Sequence, residues 1–118
     1  MRNSLEGYRM AEAREYNPEF LYLTTIGHIS GKPHEIEIWY VPYGKCYYLI
    51  SGGRSNAHWV KNLLHDPHIT FWVQGQTFNG MGRAINSADE PELAEAIDEL
   101  MYTKYQWNDG LIIELSPE

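Results

Sequence analysis

Six apolar, β-branched or aromatic runs lie along this chain, and several are joined by connections of only a few residues: "FLYLTTIG" from Phe20, "HEIEIWYVPY" from His34, "CYYLIS" from Cys46, "HITFWVQ" from His68, "QTFNGMGRAIN" from Gln76 and "GLIIELSP" from Gly110. A parallel strand pair needs a crossover of about a dozen residues or more, so links such as "HISGKP" and "YGK" allow only antiparallel neighbours. In the second run Glu35 and Glu37 alternate with Ile36 and Ile38, the period-two signature of a half-buried strand. The fourth and fifth runs read as a hairpin turning at Gly75-Gln76. Gly80 and Gly82 then suit a bend or bulge in a long strand.

Three helices punctuate the strands. The first covers Leu5 to Tyr16 within an N-terminal helical segment (residues 1–18), and Asn17-Pro18 ends it. A short one runs from Asn56 or Ala57 to His65, with Ser55 or Asn56 as N-cap and Asp66-Pro67 as stop. The third, "SADEPELAEAIDELM", opens on a capping-box pattern from Ser87 to Glu90 with Pro91 in its first turn, and Leu93, Ile97, Leu100 and Met101 share one face. The order predicts one domain over residues 1–118, mainly β with flanking helices: a small closed barrel of six antiparallel strands.

Composition removes several classes of function. A net charge of −7, with nine Lys+Arg against sixteen Asp+Glu, argues against a nucleic-acid platform, which needs a clustered basic surface. No stretch approaches the roughly 18 apolar residues of a membrane span, and no basic-then-apolar leader opens the chain. With a single cysteine, Cys46, inside an apolar run, the expectation is a cytoplasmic protein without a disulfide. No GxSxG, GxxxxGK[ST], HExxH or CxxC pattern occurs. Five histidines offer at best a weak zinc spacing in His58, His65, Asp66 and His68, so no metal site is expected.

What remains is an anion site beside aromatic strands. Ser51, Gly52, Gly53, Arg54, Ser55 and Asn56 form a turn in which glycines accept φ > 0, consecutive N–H groups form a nest, and Arg54 adds a planar fork suited to phosphate. Lys32, in the turn after the first strand, supplies a second positive charge if the barrel brings the two turns together.

"TTIGHISGKPHEIEIWYV" together with "SGGRSNAHWVKNLLHDPHITF" resembles the deazaflavin-dependent nitroreductase family, within the FMN-binding split-barrel superfamily that includes pyridoxamine-phosphate oxidases. Gly27, Ser30, Gly31, Lys32 and Pro33 match its first element; Ser51, Gly52, Gly53, His58, Trp59, Asn62, Leu63, Pro67 and Thr70 match its second; "YTKYQ" (Tyr102 to Gln106) resembles a later one. The resemblance implies a six-stranded split barrel of the FMN-binding type, a homodimer, and a cofactor in a groove at the subunit interface. His34, Glu35, Ile36, Glu37 and Ile38 would edge its ring, Ser51 to Asn56 would hold its phosphate, with His58 and Trp59 beside them, and Tyr102 and Tyr105 would cover the ring and shape an acceptor pocket.

The activity so implied is hydride transfer between FMN, or the deazaflavin coenzyme F-420, and a small flat electron-poor acceptor. The alternatives are a non-catalytic binder of a flavin, haem or other planar ligand, and a ligand-free partner module. The chain departs from the family pattern at His28 and His34, where arginines are usual, and at "WNDG" (Trp107 to Gly110). Because the deazaflavin tail is polyanionic, these lost cations lean the expectation toward FMN.

Overall fold

A computed structural model describes residues 17–118, so the helix expected over Leu5 to Tyr16 lies outside the described residues. Strands β1 (Phe20–Ile26) and β2 (Pro33–Trp39) pair with Leu21 opposite Ile38 and Leu23 opposite Ile36. That register turns the leucines and isoleucines inward, and sets Glu35 and Glu37 outside beside Thr24 and Tyr22. The remaining strands are β3 (Val41–Tyr43), β4 (Cys46–Ser51), β5 (His68–Val73), β6 (Gln76–Ala84) and β7 (Leu111–Pro117). Helix α1 (His58–His65) lies between β4 and β5, and α2 (Pro91–Tyr105) between β6 and β7. All neighbours are antiparallel in the order β2-β1-β5-β6-β7-β4-β3. The sheet curls until Ile38 of β2 and Ile50 of β4 line one cleft, the half-barrel of a split barrel.

There are seven strands where six were expected, because "HEIEIWYVPY" breaks at Tyr40. The Tyr40 N–H donates to the Tyr105 hydroxyl oxygen at 3.1 Å, and its C=O accepts from Lys104 Nζ at 2.9 Å. Both main-chain groups of Tyr40 are thereby bound to the end of α2, and the chain bends into β3. The β5–β6 hairpin turns one residue earlier than expected, at Gln74-Gly75, both left-handed (φ 53° and 79°) as a tight primed turn demands.

Gly80 and Gly82 do not bend β6, which runs unbroken. A Cβ at Gly80 would collide with the backbone of Ser116, and one at Gly82 with Leu63 of α1, so they are glycines for close approach. The capping box of α2 is not formed either: Glu90 stands at the N-cap with no side-chain cap bond, and Ala88, Asp89 and Glu90 turn on Asn86 instead. For α1, a 3₁₀ turn over Arg54–Asn56 leads to Ala57 as the cap, in place of Ser55 or Asn56.

Two apolar clusters form. Leu21, Leu23, Phe71, Val73, Ile113 and Leu115 fill the barrel with Val60 and Leu63 of α1 plugging it; Tyr48, Ile50, Ile112 and Ile85 pack outside against Ala94, Ile97 and Met101 of α2. The outer cluster is bordered by Arg83, whose guanidinium bridges Glu90 and Glu114 at 2.8 Å each.

Candidate functional site

The turn from β1 to β2 meets α1 at a buried asparagine. Asn62 is 5 % exposed, and its Oδ1 accepts the His28 N–H at 2.9 Å and lies 2.6 Å from His28 Nδ1, while its Nδ2 donates to Thr25 Oγ1 at 3.0 Å. A buried amide with all these partners fixes the turn on the helix. A cleft of about 530 Å³ opens beside it, lined by Gly27, His28, Ile29, Ser30, His34, Glu35, Ile36, His58, Trp59 and Asn62. Three imidazoles thus share one cleft: His28 and His58 stack with centroids 6.0 Å apart, and His34 Nε2 lies 3.2 Å from Ser30 Oγ. The surface of Lys32 is exposed at the same turn, its N–H donating to Ser30 Oγ.

Further along β2 a second cleft of about 500 Å³ is walled by Phe20, Glu37, Ile38, Trp39, Ile50 and Trp107. Trp39 stacks on Tyr105 at 4.4 Å and 7°, and Trp107 stands edge-on to it at 6.2 Å. The loop from Ser51 to Asn56 adjoins this end. Its left-handed residue is Arg54 (φ 54°), whereas Gly53 has φ −80°, contrary to the expected use of the glycines. Gly52 instead makes room for Trp107, whose ring would lie 3.3 Å from an added Cβ. Buried Ser51 donates its hydroxyl to the Arg54 C=O at 3.0 Å, holding that conformation. The Arg54 guanidinium pairs with Asp109 at 2.9 Å, both side chains being largely exposed. Such a pair is worth at most about 1 kcal/mol, so a stronger anion can displace the aspartate.

The expected site residues therefore fall in two places: His34, Glu35, Ile36, His58 and Trp59 at the histidine cleft, and Glu37, Ile38 and the Ser51 to Asn56 loop toward the tryptophan cleft. Tyr102 and Tyr105 line neither. Tyr102, 56 % exposed, lies in a groove on the outer face of α2 with Glu95, Asp98 and Glu99, where burial raises the Asp98 carboxyl. That groove, at about 740 Å³, is the larger cavity, yet its acids disfavour an anionic cofactor. Tyr105 is tied down, its hydroxyl within 2.6 Å of the Glu19 C=O and 2.9 Å of the Tyr40 C=O, and burial pushes it up to about 12. Trp39, Trp107, Asn62 and Asp109 carry the geometry without having been singled out as site residues. A polar residue between Val60 and Leu63 on the buried side of a short helix was the signal for Asn62. Among the described residues no group of three His, Cys, Asp or Glu is arranged to hold a metal.

Residues 1–112 match the family model described as F420H(2)-dependent quinone reductase. The chain belongs to that family. No curated protein matches it. Among solved structures, an F420-H2 dependent reductase (FDR-A) is similar at TM-score 0.63 and 17 % identity, over 87 % of this chain and 99 % of that one. A putative pyridoxamine 5'-phosphate oxidase from Listeria innocua gives TM-score 0.66 and 16 % identity, over 85 % and 84 %. The heme storage protein HutZ from Vibrio cholerae gives TM-score 0.68 and 17 % identity, over all of this chain and 92 % of that one. At such identities the likeness establishes the split-barrel fold. The family name favours the deazaflavin, and the lean toward FMN finds no support.

Proposed function

We propose that this protein is an F420-dependent oxidoreductase that carries a hydride from the reduced deazaflavin to a flat, quinone-like acceptor. The observation that carries the reading is the family match over residues 1–112. The site supports it: two clefts open along β2, one polar and rich in imidazole, the other apolar and aromatic. A long cofactor with a flat ring and an anionic tail needs both. His28, His34, His58 and Lys32 supply donors for the tail, with Glu35 as the opposing charge, and Arg54 serves the phosphate once released from Asp109. When bound, the deazaflavin would supply the hydride; the protein orients and shields it, and the proton that completes reduction of the acceptor comes from solvent. Acceptor contacts are assigned to Trp39 and Trp107, with Tyr105 bracing Trp39.

The edge strand β2 bears the half-exposed Trp39, and an exposed edge calls for a cover. We assign that cover to a second copy of the chain, which light scattering tests directly; a structural neighbour described as a domain-swapped dimer is in keeping with this. No helix among the described residues is long and apolar enough to cross a membrane, and a reducing cytoplasm suits the unpaired Cys46.

Anaerobic mixing with reduced F420 and a soluble naphthoquinone tests the activity. Protein-dependent return of the oxidised deazaflavin absorbance is expected, and none would overturn the reading. The HutZ likeness favours a second reading, storage of a planar ligand such as haem. Tight haem binding without turnover of reduced F420 would establish it instead.

A further inference from the structure

The contact between His28 and Asn62 fixes more than a turn. The His28 main-chain N–H is an obligatory donor, so the atom of Asn62 that faces it must be the oxygen. That same oxygen lies 2.6 Å from His28 Nδ1, which must therefore carry a proton in both charge states of the ring. Neutral His28 is held as the Nδ1–H tautomer, and the nitrogen that gains or loses a proton is Nε2, on the side of the ring away from Asn62. His28 lines the cleft beside His58, His34 and Glu35.

We infer that His28 is a proton-switched anion-binding residue, positioned by Asn62, and that the cleft takes up one proton when it takes a phosphate or carboxylate. The inference rests on the F420 reading for the identity of the ligand, and it adds how the site is regulated. With Nε2 neutral the cleft presents an acceptor that repels an anion; with Nε2 protonated it presents a charge-assisted donor. Glu35 opposes the bound anion, and His58 and His34 line the same cleft, His34 with its Nε2 3.2 Å from Ser30 Oγ.

The free protein gives the first test: ¹⁵N spectra of neutral His28 should show the Nδ1–H tautomer, and the Nε2–H tautomer would overturn the inference. The second is F420 affinity followed from about pH 5.5 to 8. Above the midpoint, uptake of one proton makes binding weaken about tenfold per pH unit. His28→Arg should bind at every pH with the His28 part of that slope gone. Asn62→Asp keeps every hydrogen bond, because a carboxylate accepts from His28 as the amide did and the Thr25 hydroxyl rotates to donate. Its charge, set against the proton-bearing Nδ1 of His28, should raise the midpoint by about one pH unit or more. Binding without a slope, a slope unchanged in His28→Arg, or a midpoint unmoved in Asn62→Asp each overturns the inference and leaves the F420 reading standing. If F420 binds at no pH, that reading fails, and inorganic phosphate becomes the probe: a phosphate-induced, pH-dependent shift at His28 Nε2 sustains the switch, and no shift overturns it.

Discussion

Replacing Tyr105 by phenylalanine removes one oxygen that serves the main chain at two points. The hydroxyl accepts the N–H of Tyr40, a residue 1 % exposed, and its proton lies between the carbonyls of Glu19 and Tyr40. The ring and its stack on Trp39 survive the change. The variant loses the hydroxyl that accepts this buried N–H, which costs about 1–3 kcal/mol. For a domain near one hundred residues each kcal/mol moves the midpoint by roughly 4–8 °C, so a fall of about 5–15 °C is expected in a thermal melt followed by circular dichroism. Tyr102→Phe is the control; that side chain is 56 % exposed, and the change should stay within about 0.5 kcal/mol. Alkali gives a second reading of the same oxygen. Burial lifts the Tyr105 phenol from 10.0 to about 12, so the native state holds a proton that the unfolded chain releases. Stability should therefore decline as pH rises from 10 toward 12, and the phenylalanine variant should lose that part of the decline. A melt within about 2 °C of the parent would refute the reasoning.

Arg54→Ala should weaken F420 binding about ten- to hundred-fold, measured by fluorescence titration, because a charge-assisted contact to phosphate is lost. Its melt should hardly move, since the pair with Asp109 is exposed. Gly80→Ala should cost about 1–3 kcal/mol in urea, because the backbone at Ser116 cannot yield to the new methyl. Acid should loosen the outer cluster: Arg83 beside Glu90 holds that carboxyl below its ordinary 4.5, so the stability it contributes is present above that value and is lost as pH falls through the lowered one. Arg83→Met should flatten this acid limb in a melt series.

The strands were readable because alternation is a local property. Glu35 and Glu37 against Ile36 and Ile38 state which face is wet before any partner is known, and the β1–β2 register agrees. The break at Tyr40 was hidden because its cause lies 65 residues away, in the hydroxyl of Tyr105. Glycine was misread for a similar reason. A turn can be inferred from Gly52 and Gly53, but the ring that needs the space, Trp107, arrives from another part of the chain. The resemblance gave Tyr102 and Tyr105 one shared role, yet positions i and i+3 differ by about 60° around a helix, enough to send one to solvent and the other beneath Trp39. Helix α2 was also expected to bury Leu100, which is 37 % exposed, while Ala94 takes the inward place.

The division of apolar side chains between the two sides of the curled sheet gives the domain two separable units of cooperativity. Helix α2 packs its apolar face on the outer cluster and reaches the inner one only at Tyr40, through Lys104 and Tyr105, so it should lift away before the barrel interior and α1 open. Amide hydrogens of α2 should then exchange before those of β1, β5 and β6. Since α2 ends in Tyr105, such an opening takes away the brace of Trp39 and dissolves the aromatic cleft with it. A flat ligand seated there would slow exchange along the whole helix, including turns it never touches.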